Sequence, residues 1–181
     1  MKVCTTISLL VATLLAGVSL SFALPQAASD SAPAKESILK AADVGAKLLP
    51  EKVFFRGQAA TVQARNTGGV RYADGFLVLA GLVDSSGYST GLKEKYQAYF
   101  INEVPVDIGG QTLKPGAYGV GFLDGGKFVV MDIAANDLFQ VSTAKDADMK
   151  RPVPLQFAAA SGAGNYRLYH GRDYVEFHRA K

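Results

Sequence analysis

The sequence predicts an all-β fold, an antiparallel β-sandwich or flattened barrel of about ten short strands with one N-terminal helix. Three observations carry that expectation. Turn-forming clusters recur at roughly ten-residue spacing from Val53 onward. Residues 101–133 read as four strands joined by three tight turns. Residues 76–83 form a near-continuous apolar run, the mark of a central strand buried on both faces.

At the N-terminus, residues 1–23 read as a secretory leader. Lys2 and the amino terminus form a positive n-region, residues 7–20 an apolar stretch, and Ser21-Phe22-Ala23 a small-x-small cleavage site. The apolar stretch is shorter than the roughly 20 residues a spanning helix needs, and Leu24-Pro25 follows at once, so cleavage rather than anchoring is expected. Removing 23 of the 181 residues leaves 158, a size suited to one domain with a core that needs no staples. The one cysteine, Cys4, departs with the leader, and with it any disulfide, thiolate nucleophile or thiolate metal site. The released chain carries 18 Lys+Arg against 16 Asp+Glu, scattered rather than clustered. That pattern argues against nucleic acid as a partner and against a polybasic membrane patch. A secreted or periplasmic location follows, with no membrane span after cleavage.

Residues 24–35 are Ala/Ser/Pro-rich and read as a flexible segment. In residues 36–49, Ile38, Ala42, Gly45 and Leu49 have helical spacing and Pro50 follows; Gly45 weakens this helix, which needs the domain body to hold it. Strands are expected at residues 53–55 and 61–65, a turn at Asn66-Thr67-Gly68-Gly69, and a strand at 70–73 before the hairpin signal Asp74-Gly75. Residues 84–91 are a polar loop. Residues 92–104 carry two patterns at once. Leu92, Tyr96, Tyr99 and Glu103 have helical spacing, whereas Tyr96, Ala98 and Phe100 alternate; the aromatic and β-branched content before Pro105 favours a strand.

Next come the turns that set register. A two-residue loop at Gly109-Gly110 pairs Val106 with Leu113 and Asp107 with Thr112. Lys114-Pro115-Gly116 is the second turn. A loop at Gly125-Gly126 pairs Phe122 with Val129 and Val120 with Met131, and so sets Val130 and Asp132 beside Gly119 and Gly121. Residues 138–142 and 153–158 are further strands. A Gly171-Arg172 turn closes a last hairpin in which Arg167 faces Glu176 and Tyr169 faces Tyr174.

The segment D-I-G-G-Q-T-L-K-P-G-A-Y-G-V-G-F, residues 107–122, resembles a hairpin of secreted bacterial domains of unknown function. In those domains a strand and a Gly-containing turn precede Leu-x-Pro/Ala-Gly-x-Tyr. The segment is also similar to the P-G-x-Y strand of transthyretin-like and carboxypeptidase-regulatory-like sandwiches. The resemblance implies an all-β secreted domain and carries no catalytic residue.

Among possible catalytic groups, Gly87-Tyr88-Ser89-Thr90-Gly91 is a literal G-x-S-x-G, followed by Asp132 or Asp137 and by His170 or His178 in the order a serine hydrolase uses. It lacks the alternating strand–helix architecture that holds a nucleophile elbow, so Ser89 stands as the alternative reading. His170 and His178 fall on opposite faces of their hairpin and cannot share a metal. The acids Asp132, Asp137, Asp146 and Asp148 match no EF-hand spacing. No metal and no cofactor is expected. A binding role fits the sequence better. Gly119 and Gly121 leave a face on which a ligand can approach the backbone, flanked by Val130 and Asp132, and tyrosines supply flat amphipathic surface. The competing reading is that the helix at residues 36–49 packs on that face and the tyrosines are ordinary strand formers. The expected ligand is a small molecule, a peptide or a polysaccharide.

Overall fold

Fourteen short strands and two short helices make up residues 35–181, the part of the chain that the computed structural model describes. The expected leader and its cleavage site lie outside the described residues. In chain order the first elements are β1 (Ser37–Leu39), α1 (Ala41–Leu48), β2 (Lys52–Phe55), β3 (Gln58–Arg71), β4 (Leu77–Val83), α2 (Thr90–Lys95) and β5 (Ala98–Asn102). The middle of the chain supplies β6 (Val106–Ile108), β7 (Gln111–Leu113), β8 (Gly116–Leu123), β9 (Lys127–Met131) and β10 (Asp137–Ser142). β11 (Ala144–Lys145), β12 (Gln156–Ala159), β13 (Asn165–His170) and β14 (Asp173–Arg179) complete it.

These strands form two antiparallel sheets. The larger, of eight strands, runs β1-β3-β4-β5-β8-β9-β10 with β2 also paired to β3. The smaller, of six, runs β12-β13-β14-β6-β7 with β11 also paired to β14. Among the described residues neither sheet closes into a barrel. The sheets stack as a sandwich, with Val78, Phe100, Val120, Phe128 and Val130 of the large sheet facing Ile108, Leu168, Val175 and Phe177 of the small one. The back of the large sheet is buried as well. Leu79, Val83, Val129 and Met131 lie there against Val44 and Leu49 at α1, Phe55 of β2, and Leu92 and Tyr96 at α2. This double burial is why β4 is apolar at nearly every position, since a strand covered on both faces has no solvent side to keep polar.

Two turns have the predicted register. Across Gly109-Gly110, Ile108 pairs with Gln111 and Val106 with Leu113. Across Gly171-Arg172, His170 pairs with Asp173, Tyr169 with Tyr174 and Arg167 with Glu176. The third is corrected by one residue. Leu123 pairs with Lys127, so the loop is Asp124-Gly125-Gly126, and Phe122 faces Phe128, Val120 faces Val130, Gly121 faces Val129 and Gly119 faces Met131. The expected register rested on separating an apolar face from a polar one. Here both faces are buried, so that criterion does not discriminate.

Three further elements differ from expectation. Residues 36–49 divide into the edge strand β1 and the shorter α1, which starts after the Asp43 carboxylate accepts the Lys40 N–H at 3.0 Å and which breaks at Gly45. Asn66-Thr67-Gly68-Gly69 is no turn but lies inside β3. Between Val62↔Val83 and Thr67↔Gly81 the ladder slips, and a bulge absorbs the extra residues. Asn66 Nδ2 donates to Gln63 Oε1 at 2.8 Å and Thr67 Oγ1 to the Ala64 carbonyl at 3.0 Å, local bonds that hold the bend. Residues 92–104 carry two periodicities because they hold two elements in succession, the end of α2 and then β5.

Asn102, 1% exposed at the end of β5, ties the two sheets together. Its Nδ2 donates to the carbonyls of Val104 (2.9 Å) and Lys114 (2.8 Å), so one carboxamide binds both the exit toward β6 and the return into β8. The Asn102 Oδ1 and the Tyr96 hydroxyl, by contrast, are buried with no hydrogen-bond partner, and the Tyr96 side chain donates to nothing in return. We expect Asn102→Ala to cost about 1–3 kcal/mol by orphaning buried carbonyls, and Tyr96→Phe to be neutral or stabilising. Urea melts of both variants check the pair. A Tyr96→Phe loss matching that of Asn102→Ala would mean that the tyrosine hydroxyl is bonded in solution.

Candidate functional site

The four residues expected to form a binding face do not come together. Gly119 and Gly121 point to the back of the large sheet, whereas Val130, fully buried, points to the front core between the sheets. Nor is the glycine face open. A Cβ on Gly119 would lie 2.4 Å from the Phe55 ring, and one on Gly121 would lie 2.1 Å from the Lys95 carbonyl oxygen. The occupants are thus β2 and the C-terminal end of α2, not the helix at residues 36–49. Asp132 lies beyond β9, where it closes a turn. Its carboxylate accepts Asn136 Nδ2 and the backbone N–H groups of Ala134 and Asn136, each at 2.9 Å. The Asn136 carboxamide is the main reason its pKa is held below the ordinary carboxylate value.

Ser89 is exposed and sits at the N-terminus of α2, its carbonyl accepting the N–H groups of Leu92 (3.0 Å) and Lys93 (2.9 Å). Next to it, the Tyr88 hydroxyl donates to the carbonyl oxygens of Phe55 (3.0 Å) and Gln58 (3.1 Å), which fixes the loop to the β2–β3 hairpin. The G-Y-S-T-G stretch therefore serves as a helix entry on the back layer. His170 and His178 belong to β13 and β14 of the other sheet, on its opposite faces.

The structure instead gathers polar groups around a cleft of about 580 Å³, within the range usual for ligand sites. The large sheet contributes the Asp124-Gly125-Gly126 turn, Phe122 and Gln97. Thr143 joins β10 to β11 and Lys145 ends β11, which pairs with β14; His170 and Asp173 come from the β13–β14 hairpin. Its walls are fixed by backbone bonds, Thr143 N–H to the Gly126 carbonyl at 2.9 Å and Asp146 N–H to the Arg172 carbonyl at 2.9 Å. Along one wall the His170 ring stacks on Phe122, with centroids 5.5 Å apart and planes at 19°; Phe122 in turn meets Phe128 edge-on at 4.9 Å. Lys145 Nζ lies 3.6 Å from an Asp173 oxygen. Gln97 completes the floor. Its Nε2 donates to the Phe122 carbonyl at 2.9 Å and its Oε1 accepts the Phe122 N–H at 3.0 Å, so a side chain takes the place of a neighbouring strand. A second cleft, of about 330 Å³, shares Gln97, Phe122, Leu123 and Asp124 with the first and extends to Glu94 and Lys95. The shared lining sets the two clefts side by side at the end of β8, a two-part trough.

Burial on the Phe122 stack lowers the His170 pKa below 6.5, against the smaller opposing pull of the Asp173 carboxylate. The folded state thus prefers neutral imidazole. Once pH falls below about 6.5 the unfolded chain binds a proton that the folded chain refuses, so stability is full above that value and is lost as pH falls through the lower folded pKa. We expect melting to come earlier at pH 5 than at pH 7.5, with a smaller difference in His170→Gln. A His170 Hε1 titration midpoint above the ordinary histidine value would contradict this.

The sequence separates His170 from His178 on the two faces of their hairpin, but it does not show the partners that turn His170 into part of a site. The Asp-Gly-Gly turn was visible as a turn; nothing in the order of residues signals that Gln97, Thr143 and Lys145 meet there. No protein-family model matches the chain, and neither a curated protein nor a solved structure matches it.

Proposed function

We propose that the chain is an exported, secreted or periplasmic, non-enzymatic β-sandwich domain that binds its ligand in the trough along Phe122 and His170. The observation that carries this reading is the convergence of turns from both sheets on one cleft with bonded walls, polar lining and an aromatic stack. Pre-formed concave sites with few polar groups are the usual form of a ligand site. The alternative, a serine hydrolase using Ser89, lacks a base. Among the described residues no histidine hydrogen-bonds Ser89, and a nucleophile needs one within reach.

Two arms test the reading. A fluorophosphonate probe should leave the purified protein unlabelled, and an adduct that disappears in Ser89→Ala would overturn the non-enzymatic reading. Phenol and other small neutral fragments should shift the amide resonances of Gly125, Gly126, Thr143 and Lys145; shifts confined to other surfaces would move the site elsewhere.

A further inference from the structure

We propose that the trough takes a neutral glycan chain, an inference that rests on its being the binding site. Shape comes first. The two clefts share Gln97, Phe122, Leu123 and Asp124, so the lining reaches from the Lys145–Asp173 pair on one side to Glu94 and Lys95 on the other. Two adjoining clefts suit a ligand longer than a single ring.

A peptide strand is the less fitting chain. Strand addition needs free backbone groups, and at Phe122 the Gln97 carboxamide already occupies both the N–H and the carbonyl. Charge argues against an acidic polymer. Of the two lysines that line the groove, Lys95 is bonded to Asp137 at 2.7 Å and Lys145 lies 3.6 Å from Asp173; with Asp124 and Glu94 also present, the lining carries no net positive charge. A neutral polyol meets this lining without a charge penalty. Each sugar hydroxyl donates one hydrogen bond and accepts others, so the several hydroxyls of a chain can between them serve the Asp124 carboxylate, the Thr143 hydroxyl and the turn carbonyls. The His170–Phe122 stack supplies the apolar surface on which the C–H face of a pyranose rests.

The test uses the full exported chain, its amide spectrum, and titrations with cellohexaose, maltohexaose and chitohexaose beside a neutral Gly/Ser hexapeptide and a sulfated polysaccharide. At least one neutral hexasaccharide should give saturable shifts at Gly125, Gly126, Thr143 and Lys145, weakened about tenfold or more by His170→Ala. Asp124→Asn, on an exposed turn, provides a second variant should His170→Ala fold poorly. Overturning results are that no hexasaccharide moves those amides, or that the peptide or the sulfated polymer binds there more tightly. Phenol separates the two levels. If phenol still moves the trough amides while the sugars do not, the glycan inference fails and the binding site stands; if neither does, both fall.

Discussion

Leu79→Asp is expected to abolish stable folding, and Leu79→Ala to cost about 2–5 kcal/mol. Leu79 is 4% exposed in the middle of β4, paired between Gly69 of β3 and Ile101 of β5, and its side chain lies in the core behind the large sheet. A carboxylate there would lie among the apolar side chains of that cluster and would have to stay charged in an apolar setting or bind a proton. Circular dichroism and urea melts read the outcome. A Leu79→Asp protein that melts near wild type would mean that the back of the sheet is open to water, contrary to the layer of α1, β2 and α2 described above.

Gly121→Val should be nearly as damaging, although strand propensity alone favours valine at a β position. Contact distance decides. The first atom added would stand 2.1 Å from the Lys95 carbonyl oxygen and 2.8 Å from its carbon, both backbone, so α2 must leave its seat or β8 must bend. The cost should reach or pass the top of the roughly 1–3 kcal/mol typical of overpacking. Gly119→Ala differs in kind, because its obstacle is the Phe55 ring, a side chain that can be removed. Phe55→Ala should therefore offset part of the Gly119→Ala loss and none of the Gly121→Val loss. Additive losses at Gly119 and Phe55 would contradict the packing described here.

The parts of this fold that the sequence makes legible are those where a polar face meets an apolar one or where a turn type leaves no choice. The hairpins at Gly109-Gly110 and Gly171-Arg172 satisfy both conditions, and their registers follow residue by residue. The β8–β9 hairpin satisfies neither. Its three-residue loop holds two glycines, at φ 79° and 71°, and both of its faces are buried, so one register looks as good as the next until tertiary packing selects. That single slip carried Val130 and Asp132 to the wrong neighbours, while the two glycines themselves pointed to an open face where Phe55 and Lys95 sit. Asn66 to Gly69 misled for a related reason. The residues that make a turn also make a bulge, and only the partner strand distinguishes them. The trough was illegible because its lining comes from turns far apart in sequence, and because Gln97 reads as an ordinary polar residue until its carboxamide is seen to close the Phe122 edge.

The central claim is that the glycine face of β8 is closed and the Phe122–His170 trough is open. A soluble nitroxide tests it most directly, through the paramagnetic broadening of each amide resonance. The amides of Gly125, Gly126 and Lys145, on exposed residues around the trough, should broaden strongly, and those of Gly119, Gly121 and Val130 should not. Strong broadening at Gly119 and Gly121, with protection around the trough, would contradict the claim and return the binding site to the back of the sheet.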